Sequence, residues 1–364
     1  MLKLRTVVAV PVKDEAESIG GCVTAIASQA GVQADAIVLL VNNTTDATAT
    51  VIRALQPSLA VPVHVIEHDF PAECASAGAA RRMAMEHAAD FLRPDGVLLT
   101  TDADGHVPPD WIATALQYID DGLDLVAGRV ALDPADAARI PPALHDNDAL
   151  EGAYARALDE IVARIDPDPW DPWPRHSEHS GASLAVRLDA YRRVGGMPAS
   201  PLAEDRRFVA ALRRIDARIR HAQEIVVMVS GRTIGRAEGG MADTIRRRLS
   251  APDPYLDDAL EPVGQVVRRA RLRAALRRVH ALATVHDRAL VATLSGAPAA
   301  TVEDACSAEF VGEGMALLKT AGPLLRRILV PAADVLRQTS AAHAALRELD
   351  HEDVAMSAHC SKTI

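Results

Sequence analysis

Residues 97–110 read V-L-L-T-T-D-A-D-G-H-V-P-P-D, a short apolar strand that runs out into Asp102-Ala103-Asp104. Carboxylates at i and i+2 on extended backbone point the same way. A buried strand end gains nothing structurally from two adjacent like charges, which repel and are costly to desolvate. A divalent cation would neutralise both, and an all-oxygen ligand set suits a hard ion such as Mn²⁺ or Mg²⁺. The plainer reading is an acidic turn capping the helix that begins near Pro108. What favours the cation is the company this pair keeps.

The first third of the chain alternates strands with helices. Residues 6–11, 36–41, 61–66 and 96–101 are continuous apolar, β-branched runs. Between them, 18–29, 47–55, 74–91 and 109–120 carry apolar residues at helical spacing. Buried strands joined by helices imply a mostly parallel sheet covered on both faces. Such sheets take ligands outside the carboxyl ends of their strands. Polar clusters fall at those ends: Lys13-Asp14-Glu15, then Asn42-Asn43-Thr44-Thr45-Asp46, then Asp102-Ala103-Asp104. No G-x-G-x-x-G follows the first strand and no P-loop occurs, which disfavours a dinucleotide or simple ATP site.

A strand is expected over 123–128, after which Pro, Asp and His accumulate through residues 133–179. Repeated X-Pro steps disfavour helix, so this stretch reads as a loop over a site. It contains Trp170 and Trp173, which could stack on a sugar ring or pin the loop to the core. A small-residue turn at 180–183 leads into another strand, followed by Gly195-Gly196. Glu204 and Asp205 then precede a helix over 206–214, where acids often only cap. From about residue 243 the chain turns Ala/Leu-rich, helical and locally basic. That basic face could meet an anionic lipid surface, a phosphorylated acceptor or the acidic first domain, or simply be solvated.

Composition narrows the class. The chain has 364 residues, 49% hydrophobic but only 3% aromatic, so its core must be aliphatic. A formal net charge of -10 argues against nucleic acid. Its four cysteines are scattered without metal-site spacing, as in a reduced, cytoplasmic protein. No apolar run approaches the length that spans a bilayer, although peripheral membrane contact stays open.

Taken together these stretches resemble the family 2 glycosyltransferases and their GT-A fold, a Rossmann-like, mostly parallel α/β sheet flanked by helices. The likeness covers about residues 5–240 and rests on several motifs in order. They are the strand and acidic turn at 10–19, the run 41–46, Asp102-Ala103-Asp104 with its sequel Pro108-Pro109-Asp110-Trp111, Ser180-Gly181-Ala182-Ser183, Gly195-Gly196 and Glu204-Asp205. The resemblance implies a GT-A domain over 1–242, and the composition beyond it reads as a helical accessory region over 243–350 and a flexible tail over 351–364. It implies that Pro11, Glu15, Asn42, Asn43, Asp46, Arg81 and Asp102 bind a nucleotide-sugar donor, UDP- or GDP-linked. Asp104, with Asp102, would ligate Mn²⁺ or Mg²⁺. Gly181, Ala182, Ser183 and Trp173 would border the acceptor, and Asp205, beside Glu204, would be the general base of an inverting transfer. The acceptor would be small or lipid-linked. Two departures matter. Asn42-Asn43 stands where an acidic pair usually reads uracil, and Q-x-x-R-W is replaced by a run containing Arg232 and Arg236, either of which could close over the diphosphate. Without Q-x-x-R-W or membrane helices, a processive synthase is disfavoured. A sugar-nucleotide nucleotidyltransferase and a non-catalytic binding protein remain as rivals; the former would want a Gly-rich basic loop after the first strand.

Overall fold

The computed structural model describes residues 3–236, 239–282 and 284–360, with side chains except for 352–360. Two compact units emerge. The first comprises residues up to Ile140, His176–Arg213 and Ala217–Ser250; the second comprises Pro141–Arg175, Arg214–Asp216 and the chain from Ala251 onward. The division is therefore more interleaved than a single cut at 242.

In the first unit the elements run β1 (Leu4–Val12), α1 (Ile19–Ala27), β2 (Ala36–Asn42), α2 (Thr48–Leu55), β3 (Val63–His68), α3 (Ala77–Phe91), β4 (Leu92–Thr100), α4 (Trp111–Asp120), β5 (Leu125–Leu132) and α5 (Pro134–Ala137). After α6 (Pro142–Ile165), which belongs to the second unit, come β6 (Leu184–Arg187), α7 (Leu188–Arg193), α8 (Glu204–Arg214), β7 (Ile219–Val229) and α9 (Met241–Ser250). The seven strands form one sheet in the order β3-β2-β1-β4-β6-β5-β7. All pair in parallel except β6, which is antiparallel to both β4 and β5. The mostly parallel α/β sheet expected from the strand pattern is thus the observed one.

Strand periodicity explains why both faces are buried. From β1, Val8, Val10 and Val12 pack with Ile19, Cys22, Val23 and Ile26 of α1 and with Trp111, Ile112 and Leu116 of α4. Val7 and Ala9 point the other way, onto Ala80, Ala84, Met85 and Ala88 of α3 and Phe208 and Leu212 of α8. Few aromatics are needed because Ala-rich α3 lies close on the sheet. Gly78 brings α3 equally close to the loop before α8: a Cβ there would sit 1.9 Å from the Ser200 carbonyl oxygen.

The loop expected over 133–179 is mostly helix. Its prolines stand at ends, Pro134 and Pro142 in the first turns of α5 and α6 where a missing N–H costs nothing, Pro141 at the N-cap of α6, and the others beyond Ile165. Inside α6, Tyr154, Ala157, Leu158 and Ile161 recur at helical spacing and pack with Leu260, Val263, Val330 and Ala342 in the second unit. That unit continues through α10 (Val263–Leu282), α11 (Val285–Ser295), α12 (Ala299–Ser307), α13 (Val311–Ala321) and α14 (Val335–Cys360). The helical region expected after 243 is observed. The tail expected to be loose from 351 is helical through Cys360, and 361–364 lie outside the described residues. Among the described residues no helix is long and apolar enough to cross a membrane.

Gly78→Ala should cost roughly 1–3 kcal/mol of stability, since the methyl meets backbone rather than a movable side-chain tip. Thermal unfolding checks this; an unchanged melting temperature would show that the contact between α3 and Ser200 yields freely.

Candidate active site

Three loops leave the carboxyl ends of β1, β2 and β4, and side chains zip the first two together. Asp14, at a φ of 50°, accepts from the Thr45 N–H (2.7 Å) and hydroxyl (3.1 Å). The Glu15 N–H donates to the Thr48 hydroxyl at 2.8 Å, and the Ala16 N–H donates to Asp46 Oδ2 at 3.1 Å. Asp46 also accepts from the Thr48 N–H at 2.9 Å, which caps α2. Burial works against the Asp46 charge, but the bonds from Thr48 and Ala16 outweigh it and hold the carboxyl below its usual range.

Asn43 is equally committed. Its amide donates to the Phe70 carbonyl at 2.8 Å and accepts from the Phe70 N–H at 3.1 Å, imitating a backbone pair beyond the end of β3. Asn42 is buried at the end of β2, with only a long contact to Asn43 at 3.4 Å. Pro11 lies in β1, half-buried, beside Leu40.

The third loop is tied on both sides. An antiparallel bridge joins His106 to Met228 of β7, and the chain beyond β7 delivers Arg232. Its guanidinium grips Glu15 with Nη1 and Nη2 at 2.7 and 2.6 Å and reaches Asp104 at 3.2 Å. Asp104 is only 12% exposed at its side chain. Burial first, then Asp102, raises its pKa to about 7, with Arg232 opposing and Glu15 adding to the rise. Beneath lies Cys22, whose Sγ donates to the Asp102 carbonyl at 3.3 Å. Burial and the carboxylates of Asp104, Asp102 and Glu15 push this thiol far above its ordinary value, so it is an inert floor. Its place on the apolar stripe of α1 gave no sign of this neighbourhood.

Arg81 organises the other flank. On the sequence it ranks with the donor ligands, but its side chain is 6% exposed and turned inward. Nε donates to Glu204 at 3.0 Å, Nη1 to Thr100 at 3.0 Å and to the Gly181 carbonyl at 2.8 Å, and Nη2 to Asp102 at 2.5 Å. Burial disfavours its charge, yet Asp102 and Glu204 outweigh that and hold it protonated. The approach requires glycine at 181, because a Cβ there would lie 2.3 Å from the guanidinium carbon. Arg81 therefore positions Asp102 and Glu204 from below.

Asp205 stands in the first turn of α8, where the helix dipole favours a carboxylate. Its Oδ2 accepts from the Gly181 N–H at 2.9 Å and its Oδ1 from the Arg206 N–H at 2.7 Å. Gly181 thus joins Asp205 to Arg81 and, through it, to Asp102. Ala182 and Ser183 are buried beneath this turn, so the acceptor border expected there reduces to its outer edge. Trp173 is exposed and belongs to the second unit. Arg236 is exposed, and Ala237 and Glu238 of the same run lie outside the described residues.

The acidic loops at the carboxyl ends of the parallel strands and the carboxylate pair after β4 fall within residues 7–184, which match the model of glycosyl transferase family 2. This segment is a family 2 glycosyltransferase domain. No curated sequence matches the chain closely enough to count as a relative. Among solved structures, S. aureus TarS 1-349 is 16% identical, with 83% of this chain and 91% of that one covered and a TM-score of 0.42. The mannosyltransferase PcManGT from Pyrobaculum calidifontis, in complex with GDP-Man and Mn²⁺, is 15% identical over 96% of this chain and 88% of that one, at 0.44. Glucosyl-3-phosphoglycerate synthase from Mycobacterium tuberculosis, with Mn²⁺, UDP and phosphoglyceric acid, is 14% identical over 68% and 77%, at 0.40. The glycosyltransferase assignment rests on the family match.

Two outcomes follow for this glycosyltransferase domain. Because the folded Asp104 pKa lies above its unfolded value, the stability from its protonated form is present below the unfolded pKa and lost as pH rises through about 7. Asp104→Asn should therefore raise the melting temperature of metal-free protein at about pH 8 and change it little at about pH 5. Equal effects at both would mean the carboxyl titrates normally. Arg81→Met should cost about 3–5 kcal/mol by leaving Glu204 and Asp102 without their cation, read by denaturant unfolding.

Proposed function

We propose that the protein is an inverting glycosyltransferase that moves one sugar from a nucleotide-diphosphate donor to a hydroxyl of a small or lipid-linked acceptor. The observation that carries this reading is the chain of contacts from Asp102, two residues before Asp104, through Arg81 and Gly181 to Asp205. It sets a cation-seeking carboxylate pair and a helix-borne carboxylate on one rigid frame.

The donor set fits a divalent metal. Burial, with Asp102 beside it, keeps Asp104 hard to ionise even next to Arg232, so a further cation at this pair would favour its charged form. Among the described residues no group of three or more acidic, His or Cys side chains could hold an ion unaided. Mg²⁺ or Mn²⁺ held by one or two carboxylates, with phosphate oxygens and water completing the shell, meets that condition. Asp104 would be the principal ligand and Asp102 its neighbour. When bound, such an ion supplies charge stabilisation to the departing diphosphate.

The remaining work falls to side chains. Glu15 and Pro11 border the nucleoside, while Asp14 and Asp46 keep the two loops beside it in register and Asn43 ties the second loop to Phe70. Base contact on this flank falls to Asn42. Arg232, with its two-pronged donor face, serves the diphosphate once released from Glu15. Asp205 takes the proton from the acceptor hydroxyl as that oxygen attacks the anomeric carbon from the side opposite the nucleotide; the C–O bond to the diphosphate breaks and the configuration inverts. Glu204 stays with Arg81 and steadies the first turn of α8.

A thermal-shift panel of UDP, GDP, TDP and CDP and their sugar conjugates, with and without Mn²⁺ or Mg²⁺, tests donor binding. One nucleotide family should stabilise the protein in a metal-dependent way, and Asp104→Ala should remove that dependence. Asp205→Asn should lower kcat by about 10²–10⁴ with donor affinity retained. Full turnover in that variant would remove Asp205 from its role as base; no shift with any nucleotide would remove the donor site.

A further inference from the structure

A strap of the second unit, residues 323–331, presents its apolar side chains outward while its backbone is tied inward. Gln265 of α10 donates Nε2 to the carbonyls of Leu324 (2.9 Å) and Arg326 (3.1 Å), and Arg269 donates Nη2 to that of Leu325 at 2.6 Å. At the far end the Leu256 N–H donates to the Val330 carbonyl at 2.9 Å, and the Ala332 N–H donates to the Pro254 carbonyl at 3.0 Å. Leu325 and Val330 are buried anchors. Between and beyond them Leu324, Ile328, Leu329 and Leu336 are 44% to 63% exposed. Scattered exposed leucines are ordinary on a protein surface, but a group on one held segment marks an interaction surface.

Along the strap and its sequence flanks the charge has one sign, and Glu261, which the Ile328 N–H approaches at 3.4 Å, is paired with Arg269 at 2.8 Å. Residues 314–333 contain Lys319, Arg326 and Arg327 and no acidic residue, in a chain whose formal net charge is -10. Arg326 and Arg327 are exposed, set between Leu324 and the Ile328-Leu329 pair. Asp334, the next acid, is occupied by Arg337 at 2.7 Å. On the other side, Tyr255 is bridged to Pro331 and exposed, and the chain turns acidic at Asp257 and Asp258, which bounds the patch.

We infer that this strap is a peripheral membrane-contact surface whose partner is a bilayer bearing anionic lipid. Arginines interleaved with aliphatic residues match the headgroup boundary, where the stems lie along the acyl region and the guanidinium groups meet phosphate. The carbonyls of Leu324, Leu325 and Arg326 are bonded internally, so this part of the strap presents side chains rather than free carbonyls to the interface. Neither signal suffices alone: a few leucines give weak partition, and two arginines give a salt-sensitive attraction of modest size. Together they give reversible attachment. The inference is independent of the transfer reaction, since every residue it uses lies in the helical unit.

The test is flotation of the whole protein with phosphatidylcholine vesicles, with and without phosphatidylglycerol, across a salt series. The wild type should float with the anionic vesicles, stay behind with the neutral ones, and be released as salt rises. Arg326→Ala/Arg327→Ala should weaken partition by roughly 30-fold, about fivefold for each arginine. Leu324→Ser/Ile328→Ser/Leu329→Ser should abolish it with the melting temperature held, because all three side chains are already exposed. Absence of wild-type flotation, or binding indifferent to salt and lipid charge, overturns the proposal. So does a dimer in light scattering that the serine variant converts to monomer, which would make the strap a contact between copies of this chain.

Discussion

Burying a guanidinium is expensive, and the first unit is arranged around the one that Arg81 buries. Its charge is tolerable only because Asp102 and Glu204 meet it from two sides while Thr100 and the Gly181 carbonyl take further N–H groups. Those partners come from the end of β4, the loop beyond it, the turn before β6 and the first residue of α8. They share no neighbourhood in sequence, and the arginine gives them a common reference point. Gly181 and Gly78 are the steric conditions for this arrangement: one lets the guanidinium lie against backbone, and the other lets α3 close on the segment that leads to Glu204.

A second cation closes the opposite flank. Arg232 holds Glu15 and Asp104 as Arg81 holds Asp102 and Glu204, but it does so from a loop, partly exposed and without a glycine built to receive it. The two arginines thus divide the work between a fixed floor and a wall that can give way. Between them the acidic residues stay close enough for burial and mutual repulsion to raise Asp104.

Much of this was legible in the residues. Fully buried parallel strands declare themselves as continuous Val/Ile/Leu runs, so β1, β2 and β4, and the polar loops at their ends, could be read directly. What resisted reading was the division of labour among polar residues. Asn43, Asp46 and Arg81 have the chemistry of ligands, but the same chemistry pairs with stray backbone and caps helices. Only the partners across the fold, such as Phe70 or Gly181, decide between the two uses, and pattern carries no information about them. The prolines flanking α6 misled for a related reason. Their effect depends on whether they fall inside a helix or at its first turn, and the spacing of Tyr154, Ala157, Leu158 and Ile161 was the better guide. Strand β7, with its His and charged residues, also lacked the apolar continuity that marked the others, although it leads the chain to Arg232.

The reversed strand β6 has a consequence for how the chain reaches its own working edge. Strands that all run one way can bring only their exits there; every entry lies on the far side of the sheet. By running against its neighbours, β6 starts where β4 finishes, with Leu184 opposite Thr100. The residues just upstream, Gly181 among them, therefore arrive beside Asp102 as the chain comes in. One change of direction lets a single rim be furnished by departing and arriving chain alike, without a further crossover to carry it there.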